Sequence, residues 1–364
     1  MTSTGPPPAP PAPPAPLRCT VDGVLDLDVA GALGDRDEDG VPRHPVLVVD
    51  LDDEYLAGRG GSRSARLADV LGRPGAPVAV GLTSRPVRSE VAAALLSPLT
   101  VTMAPDGGAS PLRQVAGEPE DLAVVLENVL AAPTAAMTLV GVLRSTATLA
   151  VDAGLVVESL AYSTLLAGPE FARWRSVRPT RPVPPSTAPP VLLTRVGDRL
   201  DVRLNRPERR NAYGVAVRDG LLAALGVAAL DPDVTAVVID GAGPCFCSGG
   251  DLDEFGTATV APVSHLARLH GHAGSRLTRL RERGCRVEAR VHGACVGAGI
   301  ELPAFAEHVL AAEDAWFQLP ELTMGLVPGA GGTVSITRRI GRWRAAWMVL
   351  TAARVDAATA SRWG

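Results

Sequence analysis

Apolar and polar positions change rhythm along the chain, and each rhythm predicts an element. Residues 192–204, LLTRVGDRLDVRL, alternate apolar with polar, the period of a half-buried strand, and Gly197-Asp198 interrupts them; this predicts a β-hairpin. Short unbroken apolar runs in HPVLVVDLDDEY (44–55), APVAVGLTSRP (76–86) and TAVVIDGAG (235–243) predict buried strands. PEDLAVVLENVLAAP (119–133) has the spacing of an amphipathic helix. Residues 135–175 read as consecutive helices: Leu139, Leu143 and Leu149 recur near helical spacing, Leu160 and Leu165 continue an apolar face, and Gly168-Pro169 marks a break. Asn211 is placed to cap a helix running to Leu230, which DPD (231–233) ends.

The stretch from Ala289 to Gly341 carries the densest pattern: strand, glycine turn, helix, second strand, then a glycine-rich loop entering another helix. Glu301 and Glu321 fall at the ends of its connecting turns, beside backbone that only small residues permit. Two carboxylates so placed suit carbonyl chemistry without a metal or a nucleophile.

Proline punctuates the rest. GPPPAPPAPPAP makes residues 1–16 a low-complexity, extended tail, and RPTRPVPPSTAPP makes 178–190 a linker. The chain then divides into a first α/β region over 17–177 and a second over 191–364, and 364 residues suffice for two cores.

Composition narrows the chemistry. All 35 basic residues are arginine, so a lysine Schiff base and a Walker phosphate loop are both excluded. A formal net charge of −4 gives no basic footprint for nucleic acid. Five cysteines without a repeating frame are expected as reduced thiols. No basic-then-apolar leader and no apolar run of membrane-spanning length occur, so a cytoplasmic protein with no membrane partner is expected. Cys245 and Cys247 lack a second pair, and His265, His270 and His272 have no ligand partner, so no metal site is expected; His292 reads as structural. GAGIEL and PGAGGT lack the spacing of a dinucleotide fingerprint. The VLVVDLDD run faintly resembles the haloacid dehalogenase nucleophile motif through Asp50 and Asp52. Glu54 and the missing lysine leave an acidic turn capping a strand as the reading.

Four segments in order, LNRPERRNA, FCSGGDL, HGACVGAGIEL and AAEDAWFQLPELTMGLVPGAGGT, closely resemble the enoyl-CoA hydratase/isomerase, or crotonase, family over about residues 191–364. The resemblance implies a spiral of ββα units, assembly as trimers or dimers of trimers, and an acyl-CoA thioester as substrate, with coenzyme A arriving on that substrate and no separate cofactor. It implies Glu301 and Glu321 as catalytic glutamates and the amides of Gly250 and Ala298 as an oxyanion hole, with the dipole of the helix carrying Glu301 adding to the field. Arg206, Arg209 and Arg210 would meet the phosphates of coenzyme A, Ala212 would offer its carbonyl to it, and Ser248, Gly249, Asp251, Leu252 and Gly297 would line its path. Asp251 would cap a helix after the oxyanion turn. Both glutamates together favour hydration of a 2-enoyl-CoA; isomerisation, thioester hydrolysis or decarboxylation, and a non-catalytic CoA-ester-binding subunit are the alternatives.

The pattern departs from the family in three places. Ala298 stands where a glycine is usual, Pro303 follows Glu301-Leu302, and typical members carry further helices after a segment like SRWG (361–364). GLVVESLAYSTLLAGPEFARWR (154–175) resembles those terminal helices. Residues 17–177 are therefore expected to be a degenerate crotonase-like unit whose helices pack over the second.

Overall fold

The computed structural model describes residues 16–38, 40–52, 60–87, 90–179, 181, 188–255, 257 and 260–364. The tail 1–15, Glu54 and most of the linker lie outside the described residues.

The first sheet has five strands in chain order, all parallel: β1 (Leu17–Thr20), β2 (Val46–Asp50), β3 (Val78–Leu82), β4 (Val101–Met103) and β5 (Val115–Gly117). β2 and β3 are the apolar runs of the sequence, buried along almost their whole length as covered parallel strands require. At the mouth of β2, Asp52 Oδ1 accepts from Thr83 Oγ1 at 2.7 Å and from the Ser84 amide at 2.9 Å. Asp52 thus ties two strand ends together.

The second sheet also follows chain order, with β6 (Val191–Val196), β7 (Arg199–Leu204), β8 (Ala236–Gly241), β9 (Arg286–Val291) and β11 (His308–Ala311). Here β6 and β7 form the antiparallel hairpin turning at Gly197-Asp198, and the remaining pairs are parallel. The two sheets share sequential parallel order and differ at the first strand, where the first sheet has β1, a helix (Val21–Val29) and a parallel step instead of a hairpin.

A third, smaller sheet sets the site. β10 (Ala294–Val296) lies parallel to β12 (Trp316–Gln318), and β13 (Val355–Asp356) runs antiparallel to β12. Val296 stands opposite Gln318, and the Gly297 amide donates to Gln318 O at 2.9 Å. The chain therefore leaves two adjacent parallel strands at one edge, where ligands of α/β sheets gather.

Four helices, Leu122–Ala131, Pro133–Thr146, Val151–Leu166 and Pro169–Ser176, precede the linker in sequence but pack on the second region. One apolar cluster joins Leu139, Leu143, Leu155 and Leu165 to Val334, Ile336, Met348 and Val349. Thr146 Oγ1 donates to Thr333 O at 2.7 Å, and Glu170 accepts from the Thr134 and Ala135 amides, holding the start of helix Pro133–Thr146. One apolar core thus runs across the expected division at 178–190. Helix Arg342–Thr351 takes the other side of the joint: Arg342 donates to Leu99 O and Ser97 O, Trp343 Nε1 to Ser97 O, and Arg344 to Ser110 O.

Candidate active site

Two backbone segments are laced together beneath the site. The Cys247 amide donates to Ala294 O at 3.2 Å and the Val296 amide to Cys247 O at 3.1 Å. A Cβ at Gly299 would lie 2.2 Å from Cys247 O, so only glycine allows this approach. The lacing brings the Gly249-Gly250 turn against Gly297-Ala298. Among the described residues, the amides of Gly250 and Ala298 donate to no protein acceptor, and both line one cavity of about 850 Å³.

Glu301 and Glu321 open into the same cavity. Glu301 ends a single helical turn, Ala298–Glu301, which Pro303 converts into a 3-10 turn. That brevity corrects the expectation of a helix long enough to add an appreciable dipole. Glu321 starts the 3-10 turn Glu321–Met324 just beyond β12. Gly297 holds φ +50°, and a Cβ there would lie 2.6 Å from Glu321 Oε1 and 3.7 Å from Glu301 Oε1. The two carboxylates converge on one side of that glycine.

Their environments differ. Glu301 Oε2 accepts from the Ala330 amide at 2.7 Å and the Gly332 amide at 2.8 Å. Burial raises its pKa above the usual glutamate value, and the Ala330 and Gly332 amides pull it partly back. Glu321 Oε2 is buried with no hydrogen-bond partner. Burial first, and the nearby Glu301 charge second, raise the Glu321 carboxyl well above its ordinary range. Burial raises both carboxyls, and the two differ in that the Ala330 and Gly332 amides donate to Glu301, while Glu321 Oε2 has no donor among the described residues.

A third carboxylate, which the sequence reading missed, completes the group. Glu158, buried on helix Val151–Leu166, accepts from the Gly331 amide at 2.6 Å, the Thr333 amide at 2.9 Å and Thr333 Oγ1 at 2.6 Å. Burial and the Glu301 charge raise its pKa, and the Thr333 donors oppose them. The available signal was polar spacing: Glu158, Ser159, Tyr162 and Ser163 fall on one helical face within an otherwise apolar run.

Ser248, Gly249, Asp251, Leu252 and Gly297 line the cavity. Arg206, Arg209, Arg210 and Ala212 are not in its wall. Arg206 pairs with Glu208, and Arg209 forks onto Asp251 and also reaches Asp253. Arg210 takes a left-handed backbone, φ +52°, and its carbonyl accepts from the Ser248 amide. The Ala212 carbonyl accepts from the Gly214 amide at 3.0 Å. The RPERR loop is thus held by Glu208 within it and by Asp251 and Asp253 outside it, and among the described residues the arginines in the cavity wall are Arg175, Arg178, Arg218 and Arg268.

Two caps are also corrected. Asp251 precedes a turn, not a helix, and accepts from the Asp253 amide as well as Arg209. The helix Val215–Leu230 is capped by Gly214, while buried Asn211 donates to the carbonyls of Ala242, Cys245 and Phe246 and accepts from the Arg206 amide. Asn211 is the strap that fixes the loop beneath the site.

Among the described residues, no group of three His, Cys, Asp or Glu side chains is placed to hold a metal ion, and no single helix is long and apolar enough to cross a membrane. The five cysteines are free. His292 Nε2 donates to Gly243 O at 2.9 Å, His265 Nδ1 meets Ser159 Oγ, and His272 caps helix Ala273–Glu282.

Residues 200–364 match the family model of enoyl-CoA hydratase/isomerase. The chain is 37% identical over 161 residues to the 2,3-dehydroadipyl-CoA hydratase of Escherichia coli K12, covering 44% of this chain and 61% of that protein. It is 33% identical over 162 residues to the mevalonyl-coenzyme A hydratase of Aspergillus fumigatus, covering 44% and 58%. A putative enoyl-CoA hydratase from Thermobifida fusca, solved in complex with CoA, aligns at 31% identity with a TM-score of 0.43, covering 48% of this chain and 68% of that one. The chain thus spans about three fifths of the length of the curated relatives it matches. Residues 200–364 of this chain are thus similar to the enoyl-CoA hydratase/isomerase family.

Proposed function

We propose that the cavity binds a 2-enoyl-CoA and adds water across its 2,3 double bond. The observation that carries this reading is the convergence of Glu301 and Glu321 beside Gly297, in a cavity also walled by the two uncommitted amides of Gly250 and Ala298. The thioester oxygen accepts from those amides, which stabilise the negative charge it gains as water attacks; one such donor is worth about 2.7–4 kcal/mol in a dry site. Glu301, favoured as the anion by the Ala330 and Gly332 amides, holds the water and takes its proton. The hydroxide oxygen bonds to C3, the 2,3 π pair moves toward C2 and the thioester oxygen, and Glu321, kept protonated by burial, delivers a proton to C2. Atoms balance as one water consumed per double bond. Arg175 and Arg178, in the cavity wall and at the end of the covering helices, are the cations we assign to the CoA phosphates.

The test is loss of the conjugated enoyl-thioester absorbance of crotonyl-CoA, with Glu301→Gln and Glu321→Gln alongside. Turnover in the wild type that falls about 10²–10⁴-fold in each variant is expected, the usual weight of a general acid or base. Tight binding of crotonyl-CoA without turnover would falsify hydration and favour the non-catalytic CoA-ester-binding subunit.

A further inference from the structure

Arg268, on helix Ala261–His270, faces the same cavity from a wall that the proposed chemistry leaves unused. Its Nε donates to Ser159 Oγ at 3.3 Å, its Nη2 donates to Ser163 Oγ, and its Cζ stands 4.7 Å from the centroid of the Tyr162 ring. A guanidinium has five N–H donors, so about three remain without an acceptor among the described residues. Among the described residues no carboxylate pairs with it: Glu158, whose charge it feels, is already engaged by Gly331 and Thr333. Hydroxyls and an aromatic face hold the guanidinium in place without neutralising it, and a cation drawn out of water without an anion is costly.

A second group on the same helix points to the same vacancy in bonding. Ser264 lies one turn earlier, is 7% exposed and lines the cavity, and its Oγ is buried with no hydrogen-bond partner. Buried hydroxyls are normally paired, so this one is expected to meet a polar atom of whatever fills the cavity. Tyr162 links this wall to the reacting end: a Cβ at Gly329, in the loop that enters the Glu301-bound amides, would lie 2.4 Å from its ring.

We propose that Arg268 and Ser264 receive a carboxylate at the far end of the acyl group, so that the preferred thioester is one whose acyl chain ends in a carboxylate. The inference rests on the acyl-CoA reading of the cavity. A planar carboxylate matches the two-pronged face of a guanidinium, which makes arginine the residue suited to such an end group. The Ser264 hydroxyl supplies a further donor to the same group.

The test is calorimetric titration of the full chain with saturated acyl-CoA pairs of equal length: glutaryl- against pentanoyl-CoA, adipyl- against hexanoyl-CoA, and suberyl- against octanoyl-CoA. At one length or more the carboxylate-ended member is expected to bind at least tenfold tighter. Arg268→Met should collapse that ratio to near one, Arg268→Lys should restore part of it, and Ser264→Ala should reduce it. Equal or tighter binding of the methyl-ended member at all three lengths, which needs no variant, overturns the proposal; so does a ratio that survives Arg268→Met. Failure of every acyl-CoA to bind overturns this proposal together with the acyl-CoA reading. A clear preference without hydration of the 2,3-unsaturated counterparts overturns only the hydratase assignment.

Discussion

Glu158 and Glu301 divide one run of four backbone amides between them: Glu301 takes those of Ala330 and Gly332, and Glu158 takes those of Gly331 and Thr333. The loop is gripped from both sides, by a carboxylate of the family core and by one from the covering helices. Any shift of helix Val151–Leu166 is therefore felt at the carboxylate assigned to water activation.

Removing that grip should cost stability and activity together. Glu158→Ala leaves two buried amides and the Thr333 hydroxyl without acceptors, a loss of about 2–4 kcal/mol. Scanning calorimetry should show a melting temperature lower by several degrees, and crotonyl-CoA hydration should fall with it. Glu158→Gln keeps an acceptor and should do less harm. A Glu158→Ala protein that melts with the wild type would sink the structural role given to this residue.

Stability should decline as pH rises into the neutral range. Glu158, Glu301 and Glu321 all have folded pKa values raised above the ordinary glutamate value of about 4.3, chiefly by burial. The folded chain therefore holds more protons than the unfolded chain between that value and the raised ones. The stability this contributes is complete below about pH 4 and is lost as pH climbs through the folded values. The downward slope of melting temperature between pH 5 and 8 should be shallower in Glu158→Gln than in the wild type; identical slopes would contradict the assignment.

Gly297→Ala should damage chemistry more than folding. The backbone at φ +50°, ψ −121° lies outside the left-handed α well and disfavours a side chain by about 1–3 kcal/mol, and the added methyl would sit 2.6 Å from Glu321 Oε1. We expect a cooperatively folded protein with hydration reduced at least tenfold. Full activity in this variant would show that Glu321 does not work from the position seen beside Gly297.

Arg342→Ala should loosen the first sheet from the second region. The guanidinium donates to Leu99 O and Ser97 O and stacks on Trp343 at 4.4 Å. Losing these bonds leaves carbonyls short of donors, about 1–3 kcal/mol. Calorimetry should then resolve an earlier transition for the first sheet, and a single transition at the wild-type temperature would argue against this joint as a main fastening.

The hairpin at Gly197-Asp198, the strands β2, β3 and β8, and the convergence of Glu301 with Glu321 were legible because each depends on local rhythm or on turns with glycine at fixed places. Glu158 was not, since its acceptor role exists only once a segment far along the chain folds against it. The ion pairing of Arg209 was not legible for a related reason: Asp251 and Asp253, which hold it, are distant in sequence. Asn211 resembled a helix cap because the residue type suits both jobs, and only the three carbonyls around it distinguish strap from cap.

The covering helices precede the core they cover, and this fixes an order of events during synthesis. Thr146 and its partner Thr333 are 187 residues apart, a stretch that takes a ribosome on the order of 10–40 s at ~5–20 residues per second. Through that interval helices Pro133–Thr146 and Val151–Leu166 have emerged with their apolar faces unmatched and Glu158 still hydrated. The cavity wall closes only once residues 329–333 have been made, so a nascent chain stalled before Gly332 lacks that wall and exposes a ready surface for a chaperone.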